Sequence, residues 1–512
     1  MTGPFWLAPR KRGSEGVDNL GLRQPGLTMA DALFTGFTNT TTTPRYYSIL
    51  SWLYTHAQSR AHLDALEVAF VHSTHIHEHQ GSKPTGVVGT TRVPPRDGNR
   101  LKLRREDGEH IVSARDAAFY GPSALGLGLV GISPEGAYQH TPLAKELADT
   151  FEITAASIPD PDALSISVQQ AEGFFPLCLC QKPVGAERDL LIDVLFRMAH
   201  RQPRREVYQD GPRRRSLGLL LSLIPREGLS AVPQTWMLQE AINIGLGRTD
   251  NRVPPAFVEE TYGLGCMALR WFFRHALETV WAGFGRLLVI ENRPLGLDPQ
   301  PYVECLLERS DNNSPWRPQR ERTLSEVLAQ LPNDSTTERT GYDLIRDNLT
   351  TDPATAALIA CAQLSMLCDR IERFDQKNDA WFHSFLSLGE VEHVSLHVFA
   401  DLYDPTMKFG AWVRMLVERF AIGQHLYTAS RKWPRTDGFF FQPTERGYEL
   451  TRHNKVWWPD HGPTKIPTAF RLMADLDLLV ERHGTWFRTD RGDRLLQDLI
   501  KSPGDPYPKD ED

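Results

Sequence analysis

Four histidines lie close together at His72, His75, His77 and His79, with Glu78 between the last two. In an extended chain His75, His77 and His79 point to one side. Neutral imidazoles so placed can ligate Zn²⁺ or a related metal. No acidic or histidine partner motif follows at a recognisable spacing, and a polar surface loop after a helix explains the cluster equally well. Six cysteines fall at Cys178, Cys180, Cys266, Cys305, Cys361 and Cys368. Only the first two are close, and C-x-C without a second pair is a poor zinc signal. Cys361 and Cys368 share one face of a helix. The cysteines read as buried apolar thiols in a reducing cytosol. No cofactor is expected, and His75, His77 and His79 are the residues that would hold a metal.

Arginine is concentrated in two stretches. Arg92 to Arg105 carries Arg92, Arg96, Arg100, Lys102, Arg104 and Arg105 against Asp97, a local charge of +5. Arg201 to Arg215 carries Arg201, Arg204, Arg205, Arg213, Arg214 and Arg215 against Glu206 and Asp210, a local charge of +4. Both contain turn residues and read as loops. Guanidinium forks bind phosphates well, and counterion release drives such contacts. Arg100, Arg104, Arg105, Arg201, Arg204, Arg205, Arg213, Arg214 and Arg215 are therefore the candidate nucleic-acid contacts. The competing reading pairs them with acidic groups of the same chain or of a partner. Aromatics at Tyr46, Tyr47, Trp52, Tyr54, Trp457 and Trp458, and Phe439 to Phe441, read as core rather than as base-stacking platforms.

Enzyme motifs are sparse. The P-loop Gly-x-x-x-x-Gly-Lys-Ser/Thr, the Gly-x-Ser-x-Gly elbow and His-Glu-x-x-His are all missing from the sequence. Gly126, Gly128 and Gly131 spell Gly-x-Gly-x-x-Gly, but lack the preceding strand and βαβ setting. A non-catalytic chain is favoured.

With 512 residues, 41% apolar and 24% charged, the chain has the composition of an ordinary globular protein of about three domains. A net charge of −7 excludes a globally basic nucleic-acid binder but not a local basic patch. No uninterrupted apolar run approaches the ~20 residues of a membrane span, and the N-terminus lacks a secretory signal. A cytoplasmic protein without membrane partners is expected.

The elements follow from periodicity. Thr43-Pro44 caps a helix with Tyr47, Leu50, Leu53, Tyr54 and Ala57 on one face, and a second helix covers Ala61 to Val71. Residues 72–100 read as loop and 153–170 as linker. Residues 189–500 are mostly helical, interrupted by a long polar loop with one short helix over 309–340. Two segments share another pattern. Residues 114–151 give a short strand at Leu129-Val130, a turn, a return strand at Tyr138 to His140, and a helix capped by Thr141-Pro142. Residues 467–501 give a helix, strand-like Leu478 to Glu481, a turn at His483-Gly484, a return strand at Thr485 to Arg488, and a helix capped by Thr489 that contains Gly492.

These two segments resemble the winged-helix family, over about 35 residues each. The expected fold class is mainly α, a helical body with two small winged-helix-like α/β elements. The divisions are 1–152 with the first element at 114–151, a body over 171–430, a C-terminal domain over 431–501, and an acidic tail from 502. Asn19 to Leu22, Thr38-Asn39, Arg45 to Ser48 with Trp52, and the two wings also make the chain similar to uncharacterised helical prokaryotic proteins of phage-defence and mobile-element gene clusters. That resemblance implies a non-catalytic subunit that binds double-stranded DNA, partner protein subunits, or both. Three readings stay open: a nucleic-acid-binding subunit, a protein-binding scaffold without DNA affinity, and a metalloenzyme built on His72 to His79.

Overall fold

Apolar residues recurring at helical spacing dominate the sequence, and the computed structural model is accordingly mainly helical, with four antiparallel two-stranded sheets among the described residues. The structure describes residues 18, 20–38, 41, 43–78, 98–105, 108, 111, 121–132, 138–196, 210–230, 232–249, 253–291, 298–377, 396–432, 439–450 and 464–503. Two units form, each drawn from separated stretches: one from residues 1–30, 234–252 and 261–464, the other from 31–233, 253–260 and 465–512.

The first unit is a helical assembly. Its Pro353–Lys377 helix is so apolar over Pro353 to Phe374 that length and composition alone would let it cross a membrane, and 89% of that window is buried inside the protein. The sequence places Cys361 and Cys368 on one face of this helix, as the structure has it, but Gln363 and Ser365 interrupt the apolar run and hide its length. Trp412 is fully buried and donates its indole N–H to the Cys361 carbonyl at 2.9 Å. Residues 309–340 hold a capped helix at Leu324–Gln330, in which Thr323 and Glu326 form a capping box, and the start of a longer helix at Thr337–Asn348.

Glu338, wholly buried, organises the polar interior of this unit. It accepts from Gln239 Nε2 at 2.7 Å, Arg248 Nη1 at 3.0 Å and Arg370 Nε at 3.1 Å. The two guanidinium groups also donate to Asn333 Oδ1 at 2.9 and 3.0 Å. A buried carboxylate is tolerable only when its lone pairs are occupied in this way.

The second unit has its core where the Arg45–His56 and Arg60–Glu78 helices meet a chain returning about a hundred residues later. Trp52, Phe70, Phe174 and Leu177 are buried together there, and Trp52 meets Phe174 edge-on with centroids 5.5 Å apart. The cap at Thr43-Pro44 is placed one residue late: Pro44 is the N-cap, and Thr43 Oγ1 accepts from the Arg45 N–H at 3.3 Å. The second helix runs seven residues past Val71, so His72, His75 and His77 are helical rather than in a loop. The 153–170 stretch is ordered too. Ser165–Ser167 pairs antiparallel with Arg100–Lys102, and Ser167 starts a helix through a capping box with Gln170.

Both segments form their strand pair and the capped helix that follows. Val130–Ile132 pairs with Tyr138–His140, and Thr141 caps the Pro142–Ala148 helix by accepting from Ala144 N–H. Leu479–Arg482 pairs with Thr485–Arg488, and Thr489 caps the Asp490–Lys501 helix by accepting from Gly492 N–H at 3.1 Å. Glycine is required at 492 by space: a Cβ there would stand 2.2 Å from the Leu478 carbonyl oxygen. Leu229 adds a one-residue third strand, exchanging both backbone hydrogen bonds with Trp486 at 2.8 and 2.9 Å. Arg488 Nη1 donates to the Leu221 and Ile224 carbonyls at 2.9 and 2.6 Å, satisfying the C-terminal end of the Asp210–Leu223 helix.

Removing the carboxylate of Glu338 takes from the buried Arg370 and the half-buried Arg248 the acid they share, leaving Arg370 with Asp369 and both with the neutral Asn333. Glu338→Ala is expected to cost about 3–5 kcal/mol, read as a lower urea midpoint. An unchanged midpoint would contradict the network's structural role.

Candidate metal centre

The apolar cluster around Trp52 and Phe174 carries the end of the Arg60–Glu78 helix to the turn that follows the Phe175–Leu177 3₁₀ turn. Ile76 on the helix and Leu177 and Leu179 on the turn pack into that cluster, leaving the residues beside them to face one another. His77 Nδ1 lies 3.3 Å from Cys180 Sγ. The Cys180 N–H donates to Cys178 Sγ at 3.5 Å, and the Cys178 N–H donates to the Phe175 carbonyl at 3.0 Å, which holds the turn. The ligand atoms of His77, Cys178 and Cys180 all lie within 4.8 Å of one another. Phe175 backs the imidazole at a centroid distance of 4.6 Å.

That spacing suits a tetrahedral ion. With Zn–S of about 2.3 Å and Zn–N of about 2.0 Å, neighbouring ligand atoms stand roughly 3.5–3.8 Å apart. The His77–Cys180 pair is already near that edge length, and the remaining closure is within side-chain rotation. Two thiolates and an imidazole form a soft to borderline donor set, which selects Zn²⁺ or Cu⁺ over Mg²⁺ or Ca²⁺. Cys178 is buried, Cys180 is exposed and His77 is half-buried, so the site is anchored on one side and open on the other.

A buried cation stands behind the sulfurs. Arg45 donates to Glu187 Oε2 at 2.9 Å, to the Lys182 carbonyl at 3.4 Å and to the Pro176 carbonyl. Burial lowers its pKa, while Glu187 and then the charges of Cys178 and Cys180 favour its ionised form. Burial raises the Glu187 pKa, and Arg45 opposes this.

His72 serves the frame rather than the site. It is buried, and its Nε2 donates to the Lys102 carbonyl at 2.8 Å, which ties the helix to the Arg100–Lys102 strand and sets the tautomer. The sequence reading put His75, His77 and His79 on one side of an extended chain. The helix breaks that premise, and only His77 reaches the two cysteines; His79 lies outside the described residues. The cysteines were read as buried apolar thiols; Cys178, Cys266, Cys361 and Cys368 are buried, whereas Cys305 is half-buried and Cys180 is exposed. The signal available in the sequence was the coexistence of a histidine cluster and a C-x-C pair; their hundred-residue separation hid the partnership.

The arginines separate into two sets. Arg100 and Arg105 are exposed, as is Lys102 between them, whereas Arg104 is half-buried and donates to the Gly108 and Pro161 carbonyls at 3.2 and 3.3 Å. Arg201, Arg204 and Arg205 lie outside the described residues. Arg213, Arg214 and Arg215 are not in a loop: they sit in the Asp210–Leu223 helix and are buried. Arg213 donates to the carbonyls of Leu195, Thr35, Gly126 and Val194 at 2.9 to 3.2 Å. Arg214 donates to the Ser502 carbonyl. Arg215 pairs with Glu260 at 2.6 Å and Glu259 at 3.4 Å. These three guanidinium groups are turned to the chain's own acceptors: acidic groups for Arg215, as the competing reading has it, and backbone carbonyls for Arg213 and Arg214.

Burial lowers the His72 pKa below its ordinary 6.5, outweighing the Lys102 carbonyl bond. The unfolded chain then binds the proton more readily than the folded one. His72 should therefore contribute full stability above pH 6.5 and lose it as pH falls toward its folded value. Urea midpoints measured from pH 7.5 down to about 5 should fall more steeply in the parent than in His72→Gln. Parallel curves would contradict this.

No protein-family model, curated protein or solved structure matches this chain, so its function is argued from these side chains.

Proposed function

We propose that this chain is a metalloprotein that holds one zinc-class ion through His77, Cys178 and Cys180. The observation that carries the reading is the mutual approach of an imidazole nitrogen and two sulfurs to within 4.8 Å, from segments a hundred residues apart. Three protein ligands among the described residues leave a fourth position for water or an exogenous donor, the arrangement of reactive rather than closed structural zinc sites. An ion held there polarises whatever occupies that position. The chain's own part is to hold the ligands. The Trp52–Phe174 core positions the turn, and Arg45 holds it by bonding the Pro176 and Lys182 carbonyls on either side of the two cysteines. This revives the third sequence reading with a different ligand set, since His77 is retained while the two cysteines take the places of His75 and His79.

A second reading, nucleic-acid binding, rests on the exposed Arg100, Lys102 and Arg105. Arg100 and Lys102 lie two apart on a strand and share a face, which suits a phosphate backbone. The C-terminal winged-helix-like element supports it less. In the Ile466–Asp475 helix, the counterpart of a groove-reading helix, Ile466, Thr468, Ala469, Phe470, Leu472 and Met473 are buried, and Arg471 is its exposed cation.

Elemental analysis of the purified full chain should give about one zinc per chain after loading and desalting, as expected for a single site. The stoichiometry should collapse in Cys178→Ser with Cys180→Ser and fall in His77→Ala, but persist in His75→Ala. Zinc uptake indifferent to the cysteine pair would contradict the proposal. For the second reading, changing Arg100, Lys102 and Arg105 to Ala should flatten the salt dependence of duplex binding by about three phosphate contacts. An unaltered slope would remove that reading.

A further inference from the structure

The same residues carry a second chemistry. Cys178 and Cys180 are separated by one residue, with sulfurs no more than 4.8 Å apart. They are unlike in access, since Cys180 is exposed and Cys178 is 1% exposed. His77 Nδ1 stands 3.3 Å from the exposed sulfur, and Arg45 bonds the Pro176 and Lys182 carbonyls that flank the cysteine pair. An accessible thiol with a base beside it, a cation nearby and a second thiol in reach is the environment of a reactive cysteine with its resolving partner. Three of the other four thiols differ. Cys266, Cys361 and Cys368 are fully buried, and burial raises the pKa of each, which suppresses the nucleophilic form.

We infer that Cys178 and Cys180 form a two-electron thiol switch, closed to a disulfide by a hydroperoxide, and that closure expels the metal. The expulsion rests on the metal reading above; the switch itself does not. His77 Nδ1 accepts the Cys180 proton, and the Cys180 sulfur attacks the peroxide. A new S–O bond forms as the O–O bond breaks, and the departing oxygen takes the proton from His77 and leaves as alcohol or water. Cys180 is now a sulfenic acid and the peroxide is reduced. The Cys178 sulfur then attacks the Cys180 sulfur. An S–S bond forms, the S–O bond breaks, and hydroxide leaves with the Cys178 proton as water. Two thiols and one hydroperoxide give one disulfide, one alcohol (or water) and one water. A disulfide sulfur is no longer a thiolate donor, so closure removes two of the three ligands.

The test uses the full chain, metal-free and zinc-loaded, with hydrogen peroxide in slight excess. In the metal-free chain we expect a mass loss of about 2 Da, the two hydrogens of one disulfide, mapped by digestion to Cys178–Cys180. Cys178→Ser should instead trap a dimedone-reactive sulfenic acid at Cys180. Cys180→Ser should leave Cys178 reduced. In the zinc-loaded chain a colorimetric chelator should register one zinc released for each disulfide formed, reversed by dithiothreitol. Both cysteines remaining open to iodoacetamide after peroxide would overturn the switch. A Cys178–Cys180 disulfide in a chain that never takes up zinc would uphold the switch and overturn the metal reading. A disulfide formed with zinc retained would overturn the coupling.

Discussion

The burial of Trp52 against Phe174 is the constraint on which the candidate site depends. Trp52 is 1% exposed and Phe174 fully buried, and their edge-on contact joins the Arg45–His56 helix to a turn more than a hundred residues on. An aromatic pair adds only about 0.5–1.5 kcal/mol beyond its buried area. Its consequence here is positional. With Leu177 and Leu179 drawn into the same cluster as Phe70 and Ile76, the residues beside them have nowhere to go but toward each other. His77, Cys178 and Cys180 meet because their neighbours are apolar.

Charge is used inside this protein as well as on its surface. Arg45, Arg213 and Arg215 in one unit, and Arg248 and Arg370 in the other, lie within the fold and bind backbone carbonyls or carboxylates. Arginine suits the task because its five donors can be shared among several acceptors. Such contacts are costly to desolvate and costlier to break, so they specify an arrangement more than they stabilise it. Part of the arginine clustering that suggested phosphate binding is therefore internal wiring. Among the described residues, the part facing solvent is Arg100, Lys102 and Arg105.

Local structure was legible in the sequence wherever it has a local cause. Thr141 and Thr489 cap their helices as their positions implied, and the Leu479–Arg482 and Thr485–Arg488 strands meet at the His483-Gly484 turn. Gly492 was singled out by pattern, and the Leu478 carbonyl supplies its reason. Features set by distant partners were not legible. His72, His75 and His77 read as loop because of the glycines and prolines that follow from Gly81, yet the helix runs to Glu78, with His72 buried and bonded to the Lys102 carbonyl. The Arg213 to Arg215 run read as loop beside Gly211 and Pro212, whereas the acceptors that bury it come from residues as far away as Thr35 and Ser502. The metal ligands were each noticed and each set aside, because no spacing rule joins a helical histidine to a C-x-C turn a hundred residues away.

The most direct test of the metal centre is X-ray absorption at the zinc edge of the loaded full chain. The geometry predicts two sulfur scatterers at about 2.3 Å together with nitrogen or oxygen at about 2.0–2.1 Å. The sulfur shell should vanish when Cys178 and Cys180 are both changed to Ser. A first shell of nitrogen and oxygen alone in the parent protein would mean that zinc binds elsewhere, and that the approach of His77, Cys178 and Cys180 is packing without coordination.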